Sequence, residues 1–237
     1  MIDRKTNKFL FRIEPVLVNV SMYVGSLEIK NEVEMSFAVK FNLGLQWFDY
    51  RLTWRNLNED ESLNTPSQDI TEKIWIPILT FENTKLKLRT PVDRDARFTV
   101  KMQGPYTLAS DEEVHEAAYY KGSENSVSYH RDFFLDFRCE FKLQYYPFDM
   151  QVCNICLKKQ YKERNFVRLI STKLVYSGLR QKPEFFITRF EMNVEENNTD
   201  SDITVEIHIK RRISQHIFGT YLPSFFILLL GQVNCKK

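Results

Sequence analysis

The chain is poor in glycine, with 7 among 237 residues, about 3% where ~7% is usual. It contains no GxGxxG or Walker pattern, which argues against a phosphate-cradling glycine loop and the nucleotide chemistry such loops serve. Charge of one sign is lacking as well. Lys and Arg number 33 against 31 for Asp and Glu, a formal net charge of +2. No nucleic-acid partner is expected from so even a balance. Histidine is scarce, and His115, His130, His208 and His216 are scattered without ligand spacing, so neither a metal nor a cofactor is expected. Nothing pairs a His or carboxylate with a nucleophile in a recognisable spacing, and an enzyme such as a two-carboxylate glycosidase is not expected. The opening MIDRKTNKFLFRIEP is charged throughout and does not read as a secretory signal. Internal repeats and low-complexity segments are absent.

What the chain has is aromatic residues and alternation. Phe stands at 19, Tyr at 11, and aromatics make up 14%, a composition that favours strands. From Val33 to Trp47 every odd position is apolar (Val33, Met35, Phe37, Val39, Phe41, Leu43, Leu45, Trp47), with mostly polar residues between. Successive strand side chains point to opposite faces, so this reads as one long strand with one buried face. Phe133, Leu135, Phe137, Cys139, Phe141 and Leu143 repeat the pattern, as do Val16–Val24, Phe186–Val194 and Ile203–Ile209 in shorter form. Many such strands point to an all-β fold of antiparallel sheets with one wet face each. Helix signals are weak: a short helix over Asp3–Arg12, and one or two turns over Val114–Tyr120 behind the capping-box pattern Ser110-x-x-Glu113. The rest of Thr90–Ser126 reads as polar loop.

One apolar run breaks the pattern. Ile217–Cys235 is nineteen residues without a charge, preceded by Arg211–Arg212, close to the ~20 that cross a bilayer as a helix. The expected division is a β-sandwich domain over 1–212 and, over 213–237, the start of a first membrane helix, cut short. A buried C-terminal element is the alternative.

The cysteines are Cys139, Cys153, Cys156 and Cys235. Cys153-x-x-Cys156 could suggest zinc or redox chemistry, but a second ligand pair is missing. Pairing Cys139 with Cys153 instead closes a loop between two strand-like runs, with Tyr146-Pro147-Phe148-Asp149 as its turn. Closing a loop of this size is worth ~3 kcal/mol in the chain-entropy account, and implies an oxidising compartment. Cys156 is then a buried free thiol.

The pattern Cys139-x-Phe141-x-Leu143-x-x-Tyr146-Pro147-x-Asp149-x-x-x-Cys153 resembles the signature of the Cys-loop receptors, the pentameric ligand-gated ion channels. Trp47-x-Asp49-x-Arg51-Leu52, Trp75-Ile76-Pro77, Asp202-Ile203-Thr204 and Arg211-Arg212-Ile213 ahead of Thr220-Tyr221-Leu222-Pro223-Ser224 follow in family order, the last resembling the start of the first membrane helix of GABA and glycine receptors. The likeness is to an invertebrate-like member. It implies an extracellular sandwich of about ten strands behind an N-terminal helix, four further subunits in a pentamer expected to be homomeric, a ligand site at each subunit interface, and the plasma membrane as location. The alternative is a secreted ligand-binding protein of the same fold without a pore.

In the family the ligand site is an aromatic box that attracts a cationic amine. Carried onto this sequence, the box positions are polar: Glu82 in loop A, Gln160 beside Tyr161 in loop B, Asn42 on the complementary strand, and Asp200 in a polar loop C spanning about Glu191–Asp202. Tyr129 and Arg131 are the remaining candidates on the complementary face. The resemblance therefore implies a small-molecule agonist or amphiphile other than acetylcholine, serotonin or GABA. Coupling to the pore is expected from Phe148 and Asp149 at the loop tip, Glu28 or Glu32 in the first hairpin, and Arg211 or Arg212, because a carboxylate–guanidinium contact is directional. Asn197 and Asn19 head N-glycosylation sequons.

Overall fold

The computed structural model of the chain describes residues 15–31, 35–84, 96–108, 117–197 and 200–234. Among these, twelve strands follow in order: β1 Val16–Asn31, β2 Ser36–Trp47, β3 Thr53–Arg55, β4 Leu79–Phe81, β5 Arg97–Lys101, β6 Tyr106–Leu108, β7 Ala118–Lys121, β8 Ser126–Arg138, β9 Met150–Lys159, β10 Val167–Tyr176, β11 Phe185–Asn197 and β12 Asp200–Arg211. They form a five-stranded sheet β10–β1–β2–β8–β5, a four-stranded sheet β11–β12–β9–β4 and a small sheet β3–β7–β6. Short helical pieces complete the chain: α1 Gln68–Thr71, α2 Ile213–His216, a π-helical turn over Ile217–Tyr221, and α3 Leu222–Asn234.

Alternation sets the packing. Phe37, Val39, Phe41, Leu43, Leu45 and Trp47 of β2 are all buried, and β8 faces them with Val127, Tyr129, Phe133, Leu135 and Phe137 on the same side of the sheet. Phe81 of β4 reaches across from the other large sheet and meets Phe41 and Phe133 edge-on, at 5.6 and 5.3 Å between ring centres. Phe41 stacks on Phe133 at 5.4 Å. These rings are core, each contributing ~1.5–3 kcal/mol by burial and more through edge contacts.

Several sequence expectations are corrected. The long alternating run is not strand throughout: Met35 sits in a turn with φ of 46° and is exposed, and β2 starts at Ser36, while Val33 lies outside the described residues. Residues 118–120, expected in a helix, belong to β7 and pair with β3 and β6. Partners on both sides satisfy the backbone there, which outweighs a capping signal. The supposedly loop-like stretch from Thr90 also carries β5, which adds to the edge of β8. Most of loop C is strand, because β11 and β12 remain paired from Arg189↔His208 out to Asn197↔Asp200. Cys156 is a free thiol but only half-buried. The expected helix over Asp3–Arg12 and the capping residues Ser110 and Glu113 lie outside the described residues.

The C-terminal run is helical but is not one uninterrupted α-helix, since the π turn separates α2 from α3. Every residue from 217 to 231 is exposed. No helix among the described residues is long and apolar enough to cross a membrane.

Candidate functional site

The residues of interest gather at one end of the sandwich. β9 and β12 pair antiparallel as far as Lys210↔Met150. One step beyond that last pair stand Arg211 and Asp149. The period of two turns Met150 and Lys210 outward and these two inward, where each is 2% exposed. The Arg211 guanidinium donates from Nε to Asp149 Oδ1 at 2.7 Å and from Nη2 to Oδ2 at 3.1 Å. The backbone N–H of Arg211 donates to the Asp149 carbonyl at 3.3 Å. This is a forked, charge-assisted contact, the strong kind.

Neighbouring groups fix both partners. Gln151 Nε2 donates to Asp149 Oδ2 at 2.6 Å and to the Lys142 carbonyl at 3.0 Å, while its Oε1 accepts from Lys142 N–H at 2.8 Å. The guanidinium lies 4.7 Å from the Phe185 ring and 4.8 Å from the Tyr146 ring. Tyr146 in turn touches α2: its hydroxyl is 3.0 Å from His216 Nδ1, with the rings edge-on at 5.2 Å. A disulfide joins Cys139 to Cys153 and closes the segment that carries Tyr146 and Asp149. Burial acts to raise the Asp149 carboxyl, but hydrogen bonds from Arg211 and Gln151 and the Arg211 charge outweigh it and hold the group below the usual carboxylate range.

The tip of the disulfide-closed segment is apolar and exposed, with Phe148 at 67% and Tyr145 also out in solvent. Arg212 is not part of the Asp149 contact; its Nη1 donates to the Lys182 carbonyl at 3.2 Å. Glu28 is exposed on β1 across from Ala38, and Glu32 lies outside the described residues.

The expected ligand-face residues do not come together. Glu82 follows β4 and Gln160 follows β9, at opposite ends of the three-pair ladder joining those strands. That spacing is four residues along a strand, roughly 13 Å. Glu82 pairs with Lys158 at 2.8 Å, a contact that raises the Lys158 ammonium. Tyr161 opens a 3-10 turn, is exposed, and lies 5.6 Å under the Arg164 guanidinium. Asp200 begins β12, and Asn197 ends β11. Asn19 is half-buried within β1, paired with both β2 and β10.

The complementary-face expectation is corrected for Tyr129, which is 0% exposed and packs edge-on against Phe98 at 5.2 Å. Arg131 shares its inward-facing register, with its guanidinium 4.7 Å over Phe133. Asn42 points the other way, so Asn42 and Tyr129 cannot line one pocket. The outward residues flanking Arg131 on β8 are His130 and Asp132. Asn42 Nδ2 donates to Asp132 Oδ1 at 2.9 Å, its Oδ1 lies 3.4 Å from His130 Nδ1, and Arg97 of β5 approaches Asp132 at 3.7 Å. Burial pushes the His130 imidazole down, aided by Arg97 and opposed by Glu61 and Asp132. The signal for this was present: counting back by two from Phe133 puts positions 131 and 129 inside and His130 outside.

Residues 3–213 match the family model described as the neurotransmitter-gated ion-channel ligand binding domain. Among curated proteins the chain is similar to a Drosophila melanogaster gamma-aminobutyric acid receptor subunit beta-like, at 23% identity over 93% of this chain and 44% of that protein. The Caenorhabditis elegans gamma-aminobutyric acid receptor subunit beta is 23% identical over 93% of this chain and 38% of its own length. The Haemonchus contortus glutamate-gated chloride channel subunit beta is 24% identical over 93% and 49%. The chain spans less than half the length of each of these relatives. A β-sandwich, a disulfide-closed loop seated on a buried arginine, and a family match over most of the sequence agree: the chain belongs to the neurotransmitter-gated ion-channel ligand binding domain family, a receptor class rather than an enzyme class.

Proposed function

We propose that this chain is the ligand-binding part of one subunit of a pentameric, homomeric ligand-gated ion channel in the plasma membrane, with the sandwich extracellular and the helix from Ile217 onward entering the bilayer. The observation that carries the reading is the forked contact between Asp149 and Arg211. It fastens the disulfide-closed loop to the end of the strand that leads into the exposed apolar helix. Ligand occupancy at a subunit interface is transmitted through this junction, and Phe148 at the exposed tip docks onto the membrane part. The exposed apolar face of the C-terminal helix favours this over a secreted protein of the same fold.

The agonist is a polar small molecule or an amphiphile, not a conventional amine. Tyr161 and Gln160 at the end of β9 offer hydrogen bonds on one side of the interface, with Glu82 and Asp200 standing apart from them on the same sheet, and Asn42 with its partners Asp132 and His130 offers hydrogen bonds and charge on the other. Arg131 acts from within the sheet by supporting that face. Asn197 is the preferred glycan acceptor, since Asn19 lies inside a paired strand. The test is expression of the chain with its natural continuation in an animal cell, with surface labelling and particle mass measured on detergent-extracted protein. Five-subunit particles at the surface support the reading; a secreted monomer sinks it.

A further inference from the structure

The face of the four-stranded sheet turned away from the core changes character from one end to the other, and strand register sets its rows. At the end nearest Arg211, Lys210 stands opposite Met150 of β9 on one side and Phe186 of β11 on the other. Met150 is 71% exposed, and Phe186 and Lys210 are exposed as well. Val152, also exposed, follows in the next row opposite His208. One row further, roughly 13 Å from the first, Glu191, Glu206 and Asn154 stand abreast, and Glu195 pairs with Asp202 beyond them. Apolar side chains around a lysine give way to carboxylates along one face. Glu184, exposed in the segment ahead of β11, is an acidic neighbour at the apolar end.

We propose that Met150, Val152, Phe186 and Lys210 form a ledge that rests on the phospholipid headgroup layer of the bilayer. The proposal rests on the reading that the helix from Ile217 enters that bilayer. Strand β12 ends at Arg211 and α2 begins at Ile213, which holds the apolar end of the sheet next to the helix and the acidic end away from it. Phe148, two residues before Met150, is exposed too and continues the apolar edge toward the loop tip. A lysine among apolar neighbours suits the boundary between headgroups and acyl chains: its stem covers apolar surface while its ammonium reaches a phosphate. The carboxylate rows have the opposite preference, so the same charge order that draws one end of the face to lipid phosphate keeps the other end off it.

Size separates a bilayer from a protein partner. The ledge is two rows deep and three strands wide, on the order of 100 Å² of sheet, against ~800 Å² per partner in a stable protein interface. A membrane sets no such threshold, because the helix supplies the anchoring and the ledge only has to fix how the sandwich stands on the surface. Exposed apolar side chains grouped in this way mark a contact surface.

The test adds a tryptophan to the full chain, reconstituted into phosphatidylcholine vesicles brominated on the acyl chain near the headgroup, with circular dichroism of every variant. Bromine quenches an indole that it touches, and wild type supplies the background from Trp47, Trp54 and Trp75. The emission added by Met150→Trp or Phe186→Trp is lost in these vesicles, whereas that added by Asn193→Trp, among the acidic rows of the same face, persists. Lys210→Glu weakens the quenching at Phe186→Trp. In folded chain that sediments with the vesicles, unquenched emission from both ledge positions overturns the proposal alone, whether the indole is in water or covered by a second copy. Equal quenching at Asn193→Trp, or quenching indifferent to Lys210→Glu, overturns it as well. A folded chain that stays out of the vesicles overturns it together with the reading that the helix enters the bilayer.

Discussion

Asp149 and Arg211 occupy the step immediately past the last pair of the β9–β12 ladder, and the same register that turns their neighbours outward buries both. Their contact is consequently a product of strand pairing, not of a flexible surface meeting. Removing either partner leaves a buried, uncompensated charge. Arg211→Ala and Asp149→Ala are each expected to destabilise the chain by ~3–5 kcal/mol, read as a lowered urea midpoint. Arg211→Lys restores little, because an ammonium cannot make the fork or lie flat against Phe185 and Tyr146.

Acid should dissolve the same contact. The Asp149 carboxyl titrates below the ordinary aspartate value in the folded chain. A depressed folded value means that the stabilisation is fully present above the unfolded pKa of ~3.9 and fades as pH falls through the folded one. The stability gap between wild type and Asp149→Asn should thus be constant from neutral pH down to the carboxylate range and narrow below it. Melting temperatures of both proteins across acid pH check this; a gap that widens in acid would contradict it.

Tyr129 and Asn42 are predicted to separate folding from recognition. Tyr129→Ala opens a cavity in the core beside Phe98, at a cost of about 3–5 kcal/mol in chemical denaturation. Asn42→Ala and Asp132→Ala, on the outward face of neighbouring strands, should leave the denaturation midpoint within about 0.5 kcal/mol of wild type. The same two variants should change ligand response, measured as a shift in the agonist concentration for half-maximal effect.

Gly122 is required by close backbone approach. A Cβ there would lie 2.2 Å from the Asp49 carbonyl oxygen and 2.8 Å from that of Leu52, which already accepts the Gly122 N–H at 2.9 Å. Neither backbone atom can swing away as a side-chain end could. Gly122→Ala should cost ~1–3 kcal/mol or more, seen as a drop in melting temperature.

The long strands are legible because alternation is a local property of β1, β2, β8, β11 and β12, and the disulfide because its cysteines bracket one turn, Cys139 directly after β8 and Cys153 within β9. The short strands β3, β6 and β7 were not, since three or four residues are too few to display a period and their pairing depends on partners far along the chain. The strand pairing within loop C is hidden for a related reason: MNVEENNTDS is polar, and the residues it pairs with lie across the hairpin. Asp149 and Arg211 were both named from the sequence. In the sequence Tyr146 reads only as part of the turn and of the signature, His216 only as a scattered histidine, and Gln151 carries no signal, because nothing in the neighbourhood of each points to a shared partner. Tyr129 failed by parity alone, one residue from the outward-facing His130.

The most direct measurement joins this chain to the pore region of the Haemonchus contortus glutamate-gated chloride channel relative and records current while amino acids, amines and amphiphiles are applied. The account predicts a current evoked by a polar or amphiphilic ligand, weak or absent with acetylcholine, serotonin and GABA, and abolished by Asp149→Asn while surface expression persists. A current opened by those amines, or one indifferent to Asp149→Asn, would contradict it.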